Sequence, residues 1–593
     1  MTATPVPSDS ATDLGARQVQ AQENFQKFTD LMGKGQQMMM EFWTKEHAAT
    51  PMVTDPMGFM SGWQKAITAL MSDPARLMEQ QQKYMADAMM LWKNFLSPDA
   101  EKPTIKDKRF ANEAWSQNPA FDFLRQSYLL TASHFMEAAH QLDGLEPAEK
   151  AKAQFLIKQF VDAVSPSNFA LTNPEVLKTT AETGGANLLR GLEHLLGDLQ
   201  TGRMKMTDEN AFEVGRNVAI TPGKVVFQNR LLQLIQYTPT TETVYEVPLV
   251  IYPPWINKFY ILDLTAEKSF IRWAVEQGIT VFVASWKNAD ESIADATIDT
   301  YVEEGILQGV RVAREICNTE GAHVIGYCVA GTTLAATMAV LESRNQASQI
   351  TSATFFTAQV DFADAGELKF FVDDPSVETL DKLTEDKHVL DGRFMATTFN
   401  LLRSNDLIWN YVVNNYMLGK DYFPFDLLYW NSDATNVPAR WHQQYIKDLY
   451  RENLMVQPGA LTVCGVPIDL KTVKTPTFIQ AGKEDHIAPA KSAFKLTKAF
   501  SGETRFVLAG SGHIAGVVNP PSAMKYQHWI GDPTVATLDD FIASGTETKG
   551  SWWPHWLTWL TPRSGKQVKP RVPGEGPYKA IEDAPGAYVK ERI

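Results

Sequence analysis

Hydrophobic residues recur at helical spacing through the first part of the chain. Up to about residue 105 they are mostly Met, Leu and aromatic residues among many Gln, as in ARLMEQQQKYMADAMMLWKNFL. Two sets each share a helical face: Met39, Met40 and Trp43, and then Met85, Met89, Leu91 and Trp92. Residues 1–105 are therefore predicted as a Met/Gln-rich helical segment. It either packs against the rest of the protein or meets a partner or apolar surface as a mobile amphipathic segment. Residues 106–225 keep the helical spacing and are predicted as a helical N-terminal domain.

From about residue 244 the hydrophobic runs shorten to strand length. They are VYEVPLVIYPPW, ITVFVASW, AHVIGYC, SATFFTAQVDF, TPTFIQAG and TRFVLAG, and helical stretches such as YVEEGILQGVRVARE separate them. Strands that alternate with helices predict a mostly parallel sheet covered on both faces, here within a domain spanning 226–593. The alternation stops at about 364–470, where a polar, aromatic-rich, mainly helical stretch predicts a cap or lid, or an interface.

Composition narrows the class of protein. Of the 593 residues 44% are hydrophobic and 21% charged, as in a globular protein, and the net charge of −14 argues against nucleic acid as a partner. The three cysteines, Cys317, Cys328 and Cys464, indicate reduced intracellular thiols. We find no signal peptide and no run of about 18 apolar residues, so we expect no transmembrane segment and a cytoplasmic location.

The strongest local motif is HVIGYCVAGTTLAATMAVL, an apolar strand that runs through Cys328 into a helix rich in Ala and Leu. A nucleophile elbow needs small residues two before and two after the nucleophile, and Gly326 and Ala330 meet that need. The helix N-terminus favours the thiolate, and the N–H of Val329 is predicted to point into an oxyanion hole. The alternative is a buried core thiol, which we expect for Cys317 and Cys464. The motif indicates an α/β-hydrolase fold. Together with the hydrophobic pattern, it predicts a mostly parallel central sheet, a helical cap or lid insertion and a helical N-terminal domain.

In this fold the acid and then the histidine follow the nucleophile along the chain. TPTFIQAGKEDHIAP is a strand that ends in Glu484-Asp485-His486, and TRFVLAGSGHIAG is a strand whose loop carries His513. We predict His513 as the base and Asp485 as the residue that orients it, with His486 and Glu484 as their alternatives. The remaining histidines lack metal-ligand spacing, and no metal and no cofactor are predicted.

With these residues in place, the chain resembles the class I polyhydroxyalkanoate synthases from about residue 106 to its end. The segments that carry the resemblance include DKRFANEAW, SPSNFALTNPE, PPWINKFYILDL, GYCVAGTT, FDLLYWNSDATNVP, GKEDHI and GSGHIAGVVNPP. The resemblance implies a Cys–His–Asp triad at Cys328, His513 and Asp485. It also implies a homodimer, short-chain (R)-3-hydroxyacyl-CoA substrates with 3-hydroxybutyryl-CoA favoured, and association with the growing polyester chain and its granule surface. Residues 1–105 carry little of it, and that segment varies among such enzymes.

Two positions depart from the family pattern. Trp255 stands in the PPxINK loop where Cys or Phe is expected, and Ala330 replaces a Gly in the elbow. That loop should border the oxyanion hole, so Ile256 is predicted to share the hole with Val329. Trp255, Asn257 and Tyr327 are predicted to line the substrate pocket.

The expected chemistry is acyl transfer from CoA to sulfur and then to a hydroxyl, since thioester exchange keeps the acyl group activated. Aromatic residues of the insertion would exclude water or pack in a dimer interface: Trp409, Tyr411, Tyr416, Tyr422, Phe423, Tyr429 and Trp430. For the C-terminal GSWWPHWLTWL run we favour core or interface packing over a polymer-binding strip. The rivals are a thioesterase or polyester depolymerase of the same fold, and a non-enzymatic granule-coat protein.

Overall fold

The computed structural model of the chain describes residues 23, 26, 27, 29, 30, 59–97, 104–385 and 388–593. Its contacts divide the chain into two compact units. The helical unit holds the described residues up to Met206 together with Phe399–Phe423, and the α/β unit holds Thr207–Thr398 and Pro424–Ile593. Residues 399–423 of the predicted insertion thus group with the helical unit. Met39, Met40 and Trp43 lie outside the described residues.

Four of the described helices in the helical unit begin at Pro, and in three of these the preceding Asp or Asn side chain accepts a hydrogen bond from the first turn. The helices of this unit have the bounds Phe59–Met71, Pro74–Phe95, Ala114–Gln117, Pro119–His140, Pro147–Ala163, Pro174–Thr183 and Ala186–Thr201, with π-helical turns at Asn405–Trp409 and Val412–Met417. Small and branched side chains of the first, fourth and fifth helices form its apolar core, among them Ala66, Ala139 and Ile157. None of the residues of Pro74–Phe95 is buried. Along that helix Met78, Met85, Met89 and Met90 are exposed by 59–73%.

One large sheet organises the α/β unit. Its strands are β1 (Gly223–Gln228), β2 (Leu232–Tyr237), β3 (Leu249–Tyr252), β4 (Val281–Trp286), β5 (Ala322–Tyr327), β6 (Ile350–Phe356), β7 (Thr477–Gly482), β8 (Thr504–Ala509), β9 (Gln527–Ile530), β10 (Thr546–Lys549) and β11 (Glu582–Asp583). The spatial order is β10-β9-β8-β7-β6-β5-β3-β4-β2-β1-β11. The six central strands, β3 to β8, run parallel to one another. The five flanking strands, β1, β2, β9, β10 and β11, pair antiparallel with their neighbours.

The six central strands coincide with the six predicted runs, because strands buried on both faces read as continuous apolar stretches. The flanking strands were missed. In β2 the sequence LQLIQY mixes buried Gln with apolar residues, and β10, TETK, is wholly exposed. Short, polar outer strands carry no clear period, so only their pairing partners identify them.

Helices cover both faces of the sheet and fill the insertion. Their bounds are Phe270–Glu276, Ile298–Thr300, Gln308–Cys317, Val329–Ser343, Asp374–Thr384, Gly392–Leu402, Asp426–Ser432, Ala439–Gln444, Ala490–Phe494, Leu496–Ala499, Leu538–Ser544 and Trp553–Leu560, with π-helical turns at Tyr301–Leu307 and Tyr445–Arg451. Three two-stranded ribbons complete the fold: Val244–Tyr245 with Gln567–Val568, Val389–Leu390 with Val437–Pro438, and Thr462–Val463 with Val466–Pro467. The mainly helical character predicted for 364–470 is confirmed. In the described ranges, no helix combines the length and apolar character needed to cross a membrane.

The C-terminal tryptophans lie in the core of the α/β unit. Trp552, Trp553 and Trp556 are fully buried. The indole of Trp556 lies 5.2 Å from the Phe270 ring and donates to Thr354 Oγ1 at 3.1 Å. The core-packing interpretation of GSWWPHWLTWL is therefore confirmed over the polymer-binding strip.

Candidate active site

Cys328 occupies a strained turn between β5 and the helix Val329–Ser343. Its backbone has φ 54° and ψ −123°, a conformation that non-glycine residues rarely adopt. The Cys328 N–H donates to Phe356 O at 2.8 Å, and the Gly331 N–H donates to Cys328 O at 2.8 Å. These bonds fix the turn against β6 and hold the thiol at the N-terminus of the helix.

The tightness of this turn explains its small residues. A Cβ placed on Gly326 would lie 2.6 Å from Gly331 Cα and 2.9 Å from Ala330 O. A Cβ placed on Gly331 would collide with the Ala358 side chain. The need for a small residue at position 326 was predicted from the sequence. The need for glycine at position 331 was not, because it comes from Ala358 in the loop after β6. Ala330 is buried and fits the turn.

Two further predicted residues meet at the carboxyl ends of neighbouring strands. Asp485 follows β7 and His513 follows β8, and these strands pair in parallel register. His513 Nδ1 donates to Asp485 Oδ2 at 2.7 Å, with side chains 8% and 0% exposed. The second oxygen, Asp485 Oδ1, accepts from the N–H groups of Ile487 and Ala488 at 2.8 and 2.9 Å. The carboxylate is thus held on one side by the backbone and on the other by the imidazole.

The alternatives occupy different surroundings. Glu484 is exposed, and its N–H donates to Ser511 O at 3.1 Å, which directs the backbone of this loop. His486 is half-buried beside the pair. The geometry therefore brings Asp485, and not Glu484, onto His513.

Electrostatics at His513 favour the imidazolium. Burial alone would lower its pKa, but the Asp485 carboxylate and the Cys328 sulfur, by charge and hydrogen bonding, raise the pKa to about 10. With Nδ1 donating to Asp485, Nε2 is the nitrogen left for the sulfur. The three predicted residues thus lie in one electrostatic group that can accept and return a proton.

Tyr327 is buried and contacts the loop of His513. Its hydroxyl donates to His513 O at 3.1 Å, and the two rings lie 5.8 Å apart. These contacts support the backbone that carries the imidazole, and the predicted pocket role of Tyr327 stays a prediction.

The loop after β3 carries the remaining predicted residues. Trp255 is 2% exposed, and its ring lies 5.4–5.7 Å from those of Tyr301, Trp441 and Tyr445. Ile256 is buried, whereas Asn257 is half-buried and forms an isolated antiparallel β-bridge with Ala434. Val329 is the first residue of the elbow helix, where N–H groups have no intrahelical acceptor. The oxyanion-hole and pocket roles stay predictions.

Two tyrosines of the insertion that the sequence reasoning missed, Tyr445 and Tyr450, lie close enough to the Cys328 sulfur to interact with it electrostatically. Burial raises the pKa of Tyr445 and of Tyr450, and the Cys328 charge contributes to both shifts. The two rings lie 5.4 Å apart, and Phe362 packs against Tyr450 at 4.7 Å. The Tyr445–Arg451 turn is π-helical, a geometry frequent at functional sites. Tyr445 and Tyr450 are five positions apart, a spacing that would place them on different sides of an α-helix. The hydrophobic pattern of the sequence therefore did not indicate that they lie together.

The other two cysteines lie away from the elbow. Burial raises the pKa of Cys317 to about 12, and burial together with Asp299 raises that of Cys464 to about 12. Both thiols therefore stay protonated near neutral pH. Over the part of the chain described, no three His, Cys, Asp or Glu side chains form a group suited to a metal ion.

Comparison with known proteins places this geometry in a family. A family model described as "Poly-beta-hydroxybutyrate polymerase (PhaC) N-terminus" matches residues 106–274, and one for the alpha/beta hydrolase fold matches residues 255–520. The chain is 45% identical over 533 residues to the poly(3-hydroxyalkanoate) polymerase subunit PhaC of Rhizobium meliloti, covering 88% of this chain and 87% of that protein. The chain belongs to the poly(3-hydroxyalkanoate) polymerase family.

Two other family members match over similar lengths. The poly(3-hydroxyalkanoate) polymerase of Methylorubrum extorquens is 45% identical, covering 88% of each chain. The subunit PhaC of Cupriavidus necator is 43% identical, covering 89% of this chain and 90% of that protein. The predicted polyhydroxyalkanoate synthase family, the α/β-hydrolase fold and an acyltransferase-type enzyme are confirmed. The thioesterase alternative is not favoured.

Proposed function

We propose that this polymerase joins short-chain (R)-3-hydroxyacyl groups, 3-hydroxybutyryl foremost, from CoA into polyester through an acyl-enzyme on Cys328. The observation that carries the proposal is the 2.7 Å contact of His513 with Asp485 beside a thiol held at φ 54°. A strained nucleophile, a base and an orienting carboxylate form the arrangement that acyl transfer needs.

Acylation begins when His513 takes the proton of the Cys328 thiol. The sulfur attacks the thioester carbon, the bond from that carbon to the CoA sulfur breaks, and the imidazolium returns its proton to the departing thiolate. One thioester is replaced by another of nearly equal energy, so the acyl group stays activated. Asp485 keeps Nδ1 protonated and stabilises the positive ring.

Chain growth follows when a hydroxyl attacks the Cys328 thioester. His513 takes the hydroxyl proton, the carbon–sulfur bond breaks, and the proton returns to the Cys328 sulfur. Forming an oxygen ester from a thioester is downhill, which drives the transfer. General-base assistance of this kind contributes roughly 10²–10⁴-fold in rate.

Negative charge on the carbonyl oxygen needs donors in both steps. We assign these to the N–H groups of Val329, at the helix N-terminus, and Ile256, in the loop after β3. Water would convert the acyl-enzyme into a thioesterase. Cys328 is 8% exposed, and the tyrosines that interact electrostatically with its sulfur, Tyr445 and Tyr450, are themselves buried. This restricted access supports transfer to a hydroxyl over hydrolysis.

The function is tested by feeding purified protein (R)-3-hydroxybutyryl-CoA and measuring CoA release and insoluble polymer together. Cys328→Ala should release CoA at least 10³-fold more slowly, whereas Cys464→Ala, the matched control on another loop, should keep wild-type rates. Free hydroxyacid without polymer would support the thioesterase alternative. Undiminished CoA release by Cys328→Ala would refute the acyl-enzyme.

We also propose that the enzyme works as a homodimer at the surface of polyester granules in the cytoplasm. The exposed methionines of helix Pro74–Phe95 support contact with an apolar polyester, because flexible Met side chains adapt to irregular surfaces. Met85→Glu with Met89→Glu should reduce co-sedimentation with polymer while soluble CoA release persists. Light scattering after size exclusion should give twice the 66.3 kDa chain mass; a monomer throughout the active concentration range would refute the dimer.

A further inference from the structure

A small polar cluster lies among aromatic rings and is connected through Thr332 to Cys328. It consists of the Tyr445 and Tyr450 hydroxyls and the Gln359 side chain, all buried. Apolar rings surround it, with Phe362 and Trp255 against the two tyrosines. Polar groups in such surroundings cost free energy unless they bind one another or a ligand.

The cluster is tied to the elbow by hydrogen bonds. Gln359 Nε2 donates to Tyr450 Oη at 3.1 Å, and Gln359 O accepts from Thr332 Oγ1 at 2.7 Å. The Thr332 N–H donates in turn to Cys328 O at 3.3 Å. A chain of three contacts therefore holds the Tyr450 hydroxyl in a fixed relation to the nucleophile.

The bonding capacity of the cluster is incompletely used. Gln359 Oε1 is buried and, within the described ranges, accepts no hydrogen bond. Tyr450 Oη accepts from Gln359 Nε2 at 3.1 Å. Burial raises the pKa of both phenols, and hydrogen bonding between them adds to the rise for Tyr445 and opposes it for Tyr450, so Tyr445 donates to Tyr450 and the Tyr450 proton is available for donation. One unfilled acceptor beside a phenolic donor complements a group that both donates and accepts, and an alcohol is such a group.

We propose that Tyr450, Tyr445 and Gln359 bind the 3-hydroxyl of the hydroxyacyl group as its carbonyl reaches Cys328. The hydroxyl would donate to Gln359 Oε1 and accept from the phenol. This inference rests on the proposed function, since it assumes that the acyl group is carried on Cys328.

Such a site would also select the configuration at carbon 3. The carbonyl oxygen is fixed by the oxyanion donors, the carbonyl carbon by the sulfur and the hydroxyl by the cluster. With these atoms held, the two enantiomers differ in the direction of the methyl group on carbon 3, and the packed rings around the cluster would accept that group on one side only.

The test is single-turnover CoA release with excess enzyme, using (R)-3-hydroxybutyryl-CoA, its (S) enantiomer and butyryl-CoA. Tyr450→Phe should lower the rate with the (R) substrate by roughly 10-fold or more. The rate with butyryl-CoA should stay within about twofold, since that substrate has no hydroxyl to bind. The ratio of (R) to (S) rates should fall in parallel.

Tyr301→Phe is the matched control: its ring is buried in the same aromatic group against Trp255, and it should leave all the ratios unchanged. If Tyr450→Phe does not fold, Tyr445→Phe and Gln359→Leu are measured in the same way. Equal losses with all three substrates, or no loss with any, would overturn the proposal. If the proposed acyl-enzyme on Cys328 were wrong, that would show separately, because the Cys328→Ala variant would release CoA at an undiminished rate.

Discussion

Replacing Asp485 by Asn removes a charge from the site and disturbs little else. The amide is the same size, and its oxygen can still accept from the Ile487 and Ala488 N–H groups, which hold Oδ1 at 2.8 and 2.9 Å. The NH₂ group would then face His513 Nδ1 in place of Oδ2, so Nδ1 must become the acceptor. The proton moves to Nε2, which can no longer take one from the Cys328 sulfur.

The size of the loss follows from the electrostatics of His513. Its pKa of about 10, against an ordinary 6.5, corresponds to about 5 kcal/mol of imidazolium stabilisation, shared between Asp485 and Cys328. Without the carboxylate, burial lowers the pKa again. If half of that stabilisation is lost, the rate falls about 10²-fold, and the wrong tautomer increases the deficit. A fall in kcat of about 10³–10⁴-fold is expected, up to the roughly 10⁴-fold fall that the equivalent change causes in a serine protease.

The assay is continuous detection of released CoA thiol across pH 6–10, with Glu484→Gln as the matched control on the adjacent, exposed position. The control should retain wild-type kcat, and Asp485→Asn should lose activity over the whole range. A variant within 10-fold of the wild type would refute the role assigned to Asp485. Equal losses in both variants would indicate general damage to the loop.

Three further predictions concern the elbow, a buried histidine and the tryptophan core. Gly326→Ala places a Cβ 2.6 Å from Gly331 Cα, so the elbow must shift, and kcat in the CoA assay should fall about 10²-fold. Burial, with a smaller effect of Arg563, lowers the pKa of His323 to about 3. Neutral His323 therefore does not reduce the free energy of unfolding above pH 6.5, but as the pH falls toward 3 the unfolded state gains a proton that the folded state resists, which costs about 3 kcal/mol by pH 4. In His323→Gln the fall of Tm with decreasing pH should therefore be less steep. Trp556→Ala should cost about 3–5 kcal/mol in denaturant unfolding of the α/β unit.

Each of these has a result that would contradict it. Gly331→Ala should impair the elbow as Gly326→Ala does, whereas full activity in either variant would mean that the turn is looser than described. An unchanged acid decline of Tm in His323→Gln would assign the pH dependence to other groups. The half-exposed Trp92 is the control for Trp556, and Trp92→Ala should cost under about 1 kcal/mol.

Much of the central scaffold could be predicted from sequence, because local physics determines it. The elbow depends on steric clashes within six residues, and strands buried on both faces are visible as apolar runs. The chain order of nucleophile, acid and histidine then led to Asp485 and His513, which the structure brings within 2.7 Å. The five flanking strands were not predicted, because their sequences mix polar and apolar residues without a clear period and only their pairing with neighbouring strands identifies them.

The surroundings of Cys328 depend on tertiary contacts that the sequence pattern did not predict. The π-helical turn brings Tyr445 and Tyr450 together at a spacing that an α-helix would separate. Gly331 is required by Ala358, which comes from another loop. Turn sterics and strand order are short-range properties, so they were enough to predict Cys328, His513 and Asp485 as the reacting groups. The residues around them are brought there by contacts between positions about a hundred residues apart, such as Gln359 with Tyr450, and these contacts form only in the folded chain.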